Sequence, residues 1–211
     1  MHDLSHPIVD GMQTYPGDPE VRVEAARTLG SDGYRVTELG CGSHAGTHVD
    51  APAHTEPDGR TLDAFPVDRF VLRTARVDCR DLAARDPVPP DRVPSADADC
   101  VAFHTGWDDH WGSDRYLDHP YLAPETARRC AERGYDVATD ALSPDPTPSA
   151  SAPDGGGGFP AHRALLGAGG LIFENLTGLA AVPDRFELRA HPLPLGADGA
   201  PVRAVAAALD P

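Results

Sequence analysis

Apolar positions along this chain gather in short runs, and those rich in β-branched or other apolar residues predict strands at 34–39, 69–78, 100–104, 136–140, 170–174 and 202–207. Two helices are marked more clearly. Pro124 opens a helix-forming run that closes at Gly134, and Pro160 opens a second that closes at Gly167. Each helix leads into a strand, so the pattern reads as α/β: a single domain with a mixed β-sheet and flanking helices. Twenty-two prolines and 21 glycines cut the elements short, and no internal repeat is visible.

One stretch breaks the pattern. Residues 143–158 run through prolines and serines into four consecutive glycines and cannot pack a core. The helix and strand that follow resemble the preceding unit, so the stretch is expected to be a loop inserted within one domain, either a lid over a site or an excursion without function.

Charge narrows the function. Asp and Glu total 33 against 18 Lys and Arg, a net charge of -15, and no basic cluster offers a stripe for phosphate backbones. Nucleic acid is excluded as a partner, and the same surplus repels an anionic membrane. No segment approaches the roughly 18 apolar residues of a spanning helix. The first residues lack the basic and apolar regions of a secretory signal, which makes a cytoplasmic protein the expectation. Cys41, Cys79, Cys100 and Cys130 are widely spaced with no C-x-x-C pair, and buried reduced thiols are expected.

The chemistry concentrates between residues 44 and 54. His44, His48, Asp50 and His54 bring four potential ligands into eleven residues. Neutral imidazoles with a carboxylate suit zinc, manganese or iron better than calcium. All four positions are even-numbered, so an extended chain directs them to one face, whereas a helix turns Asp50 away from His44. A straight strand does not suffice either, because His44 and His48 then lie about 13 Å apart. Gly46 is the natural point for a tight turn and Pro52 for a second bend. Asp50 has two oxygens and is able to bridge two ions. A lone histidine is usually a core residue satisfied by hydrogen bonds, but four groups of one parity around a Gly and a Pro point to a metal. A purely structural site remains the alternative, although structural zinc sites are usually richer in Cys.

The segment matches H-x-G-T-H-x-D-x-P-x-H at every fixed position through His44, Gly46, Thr47, His48, Asp50, Pro52 and His54. In this the chain resembles the cyclase and kynurenine formamidase family of metal-dependent hydrolases. The likeness extends to the opening Asp3–Ile8, to the turn Tyr15–Pro19, to the run from Asp140 to Asp145, and to the late run from His162 through Leu176. It implies the family's swivelling β/β/α-like fold, a two-metal site, usually zinc, and a homodimer. Carried over by position, His44, His48, Asp50, His162 and Glu174 are metal ligands, with Asp50 bridging, and His54 is the general acid/base. His162 falls in the first turn of a short predicted helix, and Glu174 ends an apolar strand where a lone carboxylate is costly. Tyr15 stands where the family commonly has a substrate-stacking Trp, and it still offers a π-face and a hydroxyl.

The function expected from the resemblance is hydrolysis of a small amide, an aryl formamide such as N-formylkynurenine, by metal-activated water with His54 moving the proton. No G-x-S-x-G elbow suggests an acyl-enzyme instead. The alternatives are an isatin-like lactam hydrolase, a metal-assisted cyclase or dehydratase, and a metal-binding protein without turnover.

Overall fold

Strands buried on both faces need near-continuous apolar runs, and every side chain of 100–104 and 136–139 is buried. In the computed structural model, which describes residues 1–155 and 157–209, these runs form the middle of a nine-stranded sheet. The strands in chain order are β1 (His2–Asp3), β2 (Arg22–Arg27), β3 (Val36–Gly40), β4 (His48–Asp50), β5 (Val71–Asp78), β6 (Pro87–Val88) and β7 (Cys100–His104). They continue with β8 (Tyr121–Leu122), β9 (Asp136–Thr139), β10 (Ile172–Glu174), β11 (Arg185–Arg189), β12 (Gly199–Pro201) and β13 (Val205–Ala207). Helices are α1 (Leu29–Asp32), α2 (Pro124–Glu132) and α3 (Pro160–Leu166).

The sheet order is β1-β13-β11-β5-β7-β9-β10-β4-β12. Strands β5, β7, β9 and β10 are parallel, and the outer pairs are antiparallel. The mixed sheet expected from the sequence is thus present. Period-two alternation sends Cys100, Ala102, Ala138 and Phe173 into one apolar layer, and Val101, Phe103, Val137 and Ile172 into the other. Ala127 and Cys130 of α2 and Leu165 and Leu166 of α3 cover the second layer. Phe70, Leu72, Phe186 and Leu188 fill the first. The four-residue step from Pro201 to Val205 spans at most about 14 Å, yet it joins β12 at one end of the sheet to β13 near the other. The sheet therefore curls until its ends approach.

That curl explains why the single strand expected at 202–207 is divided. Val202 makes an isolated bridge to Pro192, and Arg203 turns out to pair with Asp3. The strand expected at 34–39 is shifted to Val36–Gly40, and it pairs with β2 as an arm outside the main sheet, all five residues exposed. The one expected at 69–78 begins at Val71, because residues 67–70 form a 3₁₀ turn in which Arg69 reaches the buried carboxylate of Asp136. Both predicted helices are present, α2 ending before Gly134 at φ +71°.

The 143–158 stretch differs from its expectation in its first half. Ser143, Asp145 and Thr147 are buried because each polar group finds a partner, which removes the usual cost of burial. Gly156 of this stretch lies outside the described residues. Cys79, Cys100 and Cys130 are buried free thiols as expected, but Cys41 is exposed, since it follows directly on the exposed arm. Among the described residues no helix is long and apolar enough to cross a membrane.

Thr147 gives the stretch a pH-dependent anchor. The His119 Nδ1–H donates to the Pro120 carbonyl (2.8 Å), and its Nε2 accepts from the Thr147 hydroxyl (2.8 Å). Burial pushes the imidazole down to about 4, against about 6.5 in an unfolded chain. The unfolded state then binds the extra proton, so this contribution is complete above about pH 6.5 and is lost as pH falls towards 4. It amounts to about 3 kcal/mol at about 1.4 kcal/mol per unit. Denaturant melts at pH 7 and pH 4 are expected to show that loss in the wild type and to lack it in His119→Gln. An equal pH dependence in both proteins contradicts the assignment.

Candidate functional site

Gly46 bends the chain as its position demands. Its φ of +63° is left-handed, and a Cβ there would stand 2.9 Å from Met12 Cε, so glycine serves both the turn and the packing. The turn leads into β4, a three-residue strand between β10 and β12. Period two directs His48 and Asp50 to one side and sends Val49 into the core. Pro52 then opens a 3₁₀ turn that carries His54 back to the same cavity. Glu174 lies opposite His48 in the β4–β10 register, and α3 brings His162 from the neighbouring edge. Asn175, at φ +56°, fixes the end of β10: its side chain donates to Gly46 O (3.0 Å), and its carbonyl accepts from Thr47 Oγ1 (2.6 Å).

Five of the candidate site residues, His44, His48, His54, His162 and Glu174, line one cavity of about 200 Å³ together with Tyr15. Asp50 lies beneath it, fully buried. Its Oδ1 is 2.7 Å from His44 Nδ1 and 3.2 Å from His48 Nε2, while Oδ2 is 3.6 Å from His162 Nε2. Glu174 closes the ring, with Oε2 3.1 Å from His48 Nε2 and Oε1 3.3 Å from His162 Nε2. Two ligand triplets result, His44–His48–Asp50 and Asp50–His162–Glu174, and both contain Asp50.

Each histidine is held by its other nitrogen. His48 Nδ1–H donates to Gly46 O (2.8 Å), His162 Nδ1–H to Asp145 Oδ2 (2.7 Å) and His44 Nε2–H to Asp198 Oδ2 (2.9 Å). The remaining nitrogen of each faces the carboxylates at the centre, which is how metal-ligating histidines are commonly oriented. Three buried atoms at the centre, His48 Nε2, Asp50 Oδ2 and Glu174 Oε1, have no hydrogen-bond partner. Orphaned buried groups of this kind are costly, and nitrogen and carboxylate donors together fit a divalent zinc- or manganese-like ion. Burial opposes a charge on His48, but the carboxylates of Asp50 and Glu174 outweigh it and raise the imidazole to about 10. Burial likewise opposes ionisation of Asp50, and the surrounding imidazoles overcome it and hold its carboxyl well below the usual range. A cation and protons thus compete for the same atoms.

A third cluster, His44–His54–Asp198, differs because its atoms are already engaged. Asp198 Oδ2 accepts from His44 Nε2 and also from His54 Nδ1 (3.3 Å). Asp198, Asp145 and Asn175 are contributors that sequence reasoning missed. Phe159 is another: it precedes α3 with a left-handed φ of +50°, and its ring centroid lies 6.4 Å from that of Tyr15. Tyr15 is held by a turn with Pro16 and a Gly17 of φ +100° in the middle, closed by Asp18 N–H donating to Tyr15 O (3.0 Å).

Comparison with known proteins bears on the family and the fold. Residues 2–146 match the family described as "Putative cyclase". The chain is 35% identical to a kynurenine formamidase of Salinibacter ruber (strain DSM 13855 / M31), covering 96% of this chain and 95% of the relative. It is 32% identical to a kynurenine formamidase of Paracidovorax citrulli (strain AAC00-1), covering 96% and 94%. Among solved structures, a potential metal-dependent hydrolase with cyclase activity superposes with a TM-score of 0.79 at 28% identity, covering 100% of this chain and 98% of that one. Isatin hydrolase A from Labrenzia aggregata, bound to benzyl benzoate, shares the fold with a TM-score of 0.80 at 24% identity, covering 97% and 91%. The long family match, the two curated relatives and the shared fold lead to one conclusion: this chain belongs to the cyclase family that includes the kynurenine formamidases.

Proposed function

We propose that this chain is a metal-dependent amidohydrolase that cleaves a small aryl formamide, with N-formylkynurenine the first substrate to test. The names of the curated relatives support the reaction class. The observation that carries the reading is the central ring of orphaned acceptors around Asp50, whose two oxygens face different partners. We assign His44, His48, Asp50, His162 and Glu174 as the residues that would hold two divalent ions, with Asp50 common to both triplets. Zinc is the first choice and manganese the alternative. These residues would hold an ion that, when bound, would supply polarisation of the amide carbonyl and a water of lowered pKa.

The chain's own groups complete the reaction. His54 engages Asp198 through Nδ1, so Nε2 is its working atom towards the cavity. It takes a proton from the attacking water and delivers it to the departing nitrogen, as the C–O bond forms and the C–N bond breaks. Formate and an arylamine leave. Burial of His48, Asp50, His162 and Glu174 keeps bulk water from competing with the carbonyl.

Tyr15 and Phe159 supply the apolar wall for the aryl group. Tyr15→Ala is expected to lower kcat/KM on an aryl formamide about tenfold or more, to change an alkyl formamide by less than about threefold, and to leave Tm nearly unchanged. An equal loss on both substrates, or no loss, removes the aromatic preference; faster turnover of isatin than of any formamide shifts the substrate to a cyclic amide.

We further assign a homodimer, supported by the exposed apolar residues Leu29, Tyr34, Val36 and Leu39 on and beside the β2–β3 arm. Four unpaired cysteines support a reducing, cytoplasmic setting.

A further inference from the structure

The ligand shell and the acid/base are joined by one carboxylate. Asp198 Oδ2 accepts from His44 Nε2 at 2.9 Å and from His54 Nδ1 at 3.3 Å, and Oδ1 accepts from Ser43 Oγ at 3.1 Å. The two imidazoles lie against each other, with ring centroids 4.0 Å apart. Asp198 arrives just before β12, whose pairing with β4 sets its distance from the site, and its carbonyl accepts from Ala51 N–H (2.8 Å). The next residue has to be glycine: a Cβ on Gly199 would stand 2.7 Å from His44 Cε1 and 3.0 Å from Val49 O. Backbone and carboxylate of residues 198–199 thus grip the His44 ring from two directions. Asp198 is not among the residues lining the cavity.

We propose that Asp198 is a positioning residue for the reaction assigned above, fixing in one contact the tautomer of the ligand His44 and that of the acid/base His54. Resting on that assignment, the inference adds a cause for it. Without the carboxylate, His54 is free to carry its proton on Nε2, the wrong nitrogen to accept one from water, and His44 loses the acceptor that turns Nδ1 to the centre. A carboxylate behind a metal-ligating histidine typically accounts for about 10- to 100-fold in metal affinity or activity. Substrate affinity is not expected to change, since Asp198 is absent from the cavity wall.

The test uses zinc-loaded Asp198→Ala and Asp198→Asn beside the wild type and His54→Ala. Long-range proton–nitrogen NMR correlations report histidine tautomers without reference to turnover, and the signals missing in His54→Ala identify that residue. The wild type is expected to show His54 protonated on Nδ1, and both Asp198 variants to show a mixture. Zinc affinity by chelator competition should fall about 10- to 100-fold, and kcat should fall by a similar factor with KM within about threefold. The asparagine variant keeps the shape of the side chain, so a loss of folding confined to the alanine variant leaves the comparison intact. An Nδ1–H tautomer retained in both variants, with zinc affinity unchanged, overturns the proposal. Full activity of His54→Ala instead overturns the acid/base assignment, and the tautomer readout still decides the role of Asp198.

Discussion

Replacing Asp50 with alanine is expected to cost the protein its metal and at least about 1,000-fold in kcat/KM. The reason lies in the sharing of this carboxylate. Oδ1 belongs with His44 and His48, while Oδ2 belongs with His162 and Glu174, so both ligand triplets contain Asp50. Truncation leaves two nitrogens on one side and a nitrogen–carboxylate pair on the other, too few donors for a four-coordinate site. Several kcal/mol of carbonyl polarisation disappear with the ion, and each 1.4 kcal/mol or so is tenfold in rate. Asp50→Asn controls for volume, because it keeps the side-chain shape but not the charge. Elemental analysis should find both variants depleted, with the asparagine protein still folded. Wild-type metal content in Asp50→Ala contradicts the bridging role.

His54→Ala is expected to do the opposite: metal content unchanged and kcat lowered about 100- to 10,000-fold, the usual contribution of a positioned general acid/base. His54 is the most accessible of the four cavity histidines, with 31% of its side chain exposed against 1% for His48 and 5% for His162. Its Nδ1 is engaged by Asp198 rather than turned to the orphaned atoms at the centre. Removing it therefore leaves all five assigned ligands in place. Metal lost together with activity makes His54 a ligand instead.

The site was readable from sequence where its residues are contiguous. Four groups of one parity around Gly46 and Pro52 require a bent, extended chain, and the structure has a left-handed Gly46, a strand at His48–Asp50 and a 3₁₀ turn at Pro52–His54. His162 and Glu174 came only through resemblance, since one histidine and one glutamate in separate elements carry no local signal. Asp198 and Asp145 escaped notice for the same reason: they act from loops 144 and 17 residues from the histidines they orient, and only sheet pairing and the α3 start bring them near.

The fold was legible in its parallel centre, where burial on both faces leaves continuous apolar runs such as Cys100–His104. Its edges were not. β4 is three residues long and reads as a ligand motif rather than a strand, and β11 alternates buried and exposed positions but carries three charges in five residues. The curl that separates β12 from β13 arises from pairing with distant strands, which no window of local sequence contains.

The histidine–carboxylate cavity is proposed as a metal centre for hydrolysis of an aryl formamide. The most direct test of that assignment is N-formylkynurenine turnover by one preparation of the full chain, followed before chelation, after complete metal removal, and after return of zinc or manganese. Kynurenine and formate are expected in equal amounts at the start, with turnover falling about 1,000-fold or more in the stripped protein and recovering when the ion is added back. Undiminished hydrolysis by protein that elemental analysis shows to be free of metal would contradict the assignment.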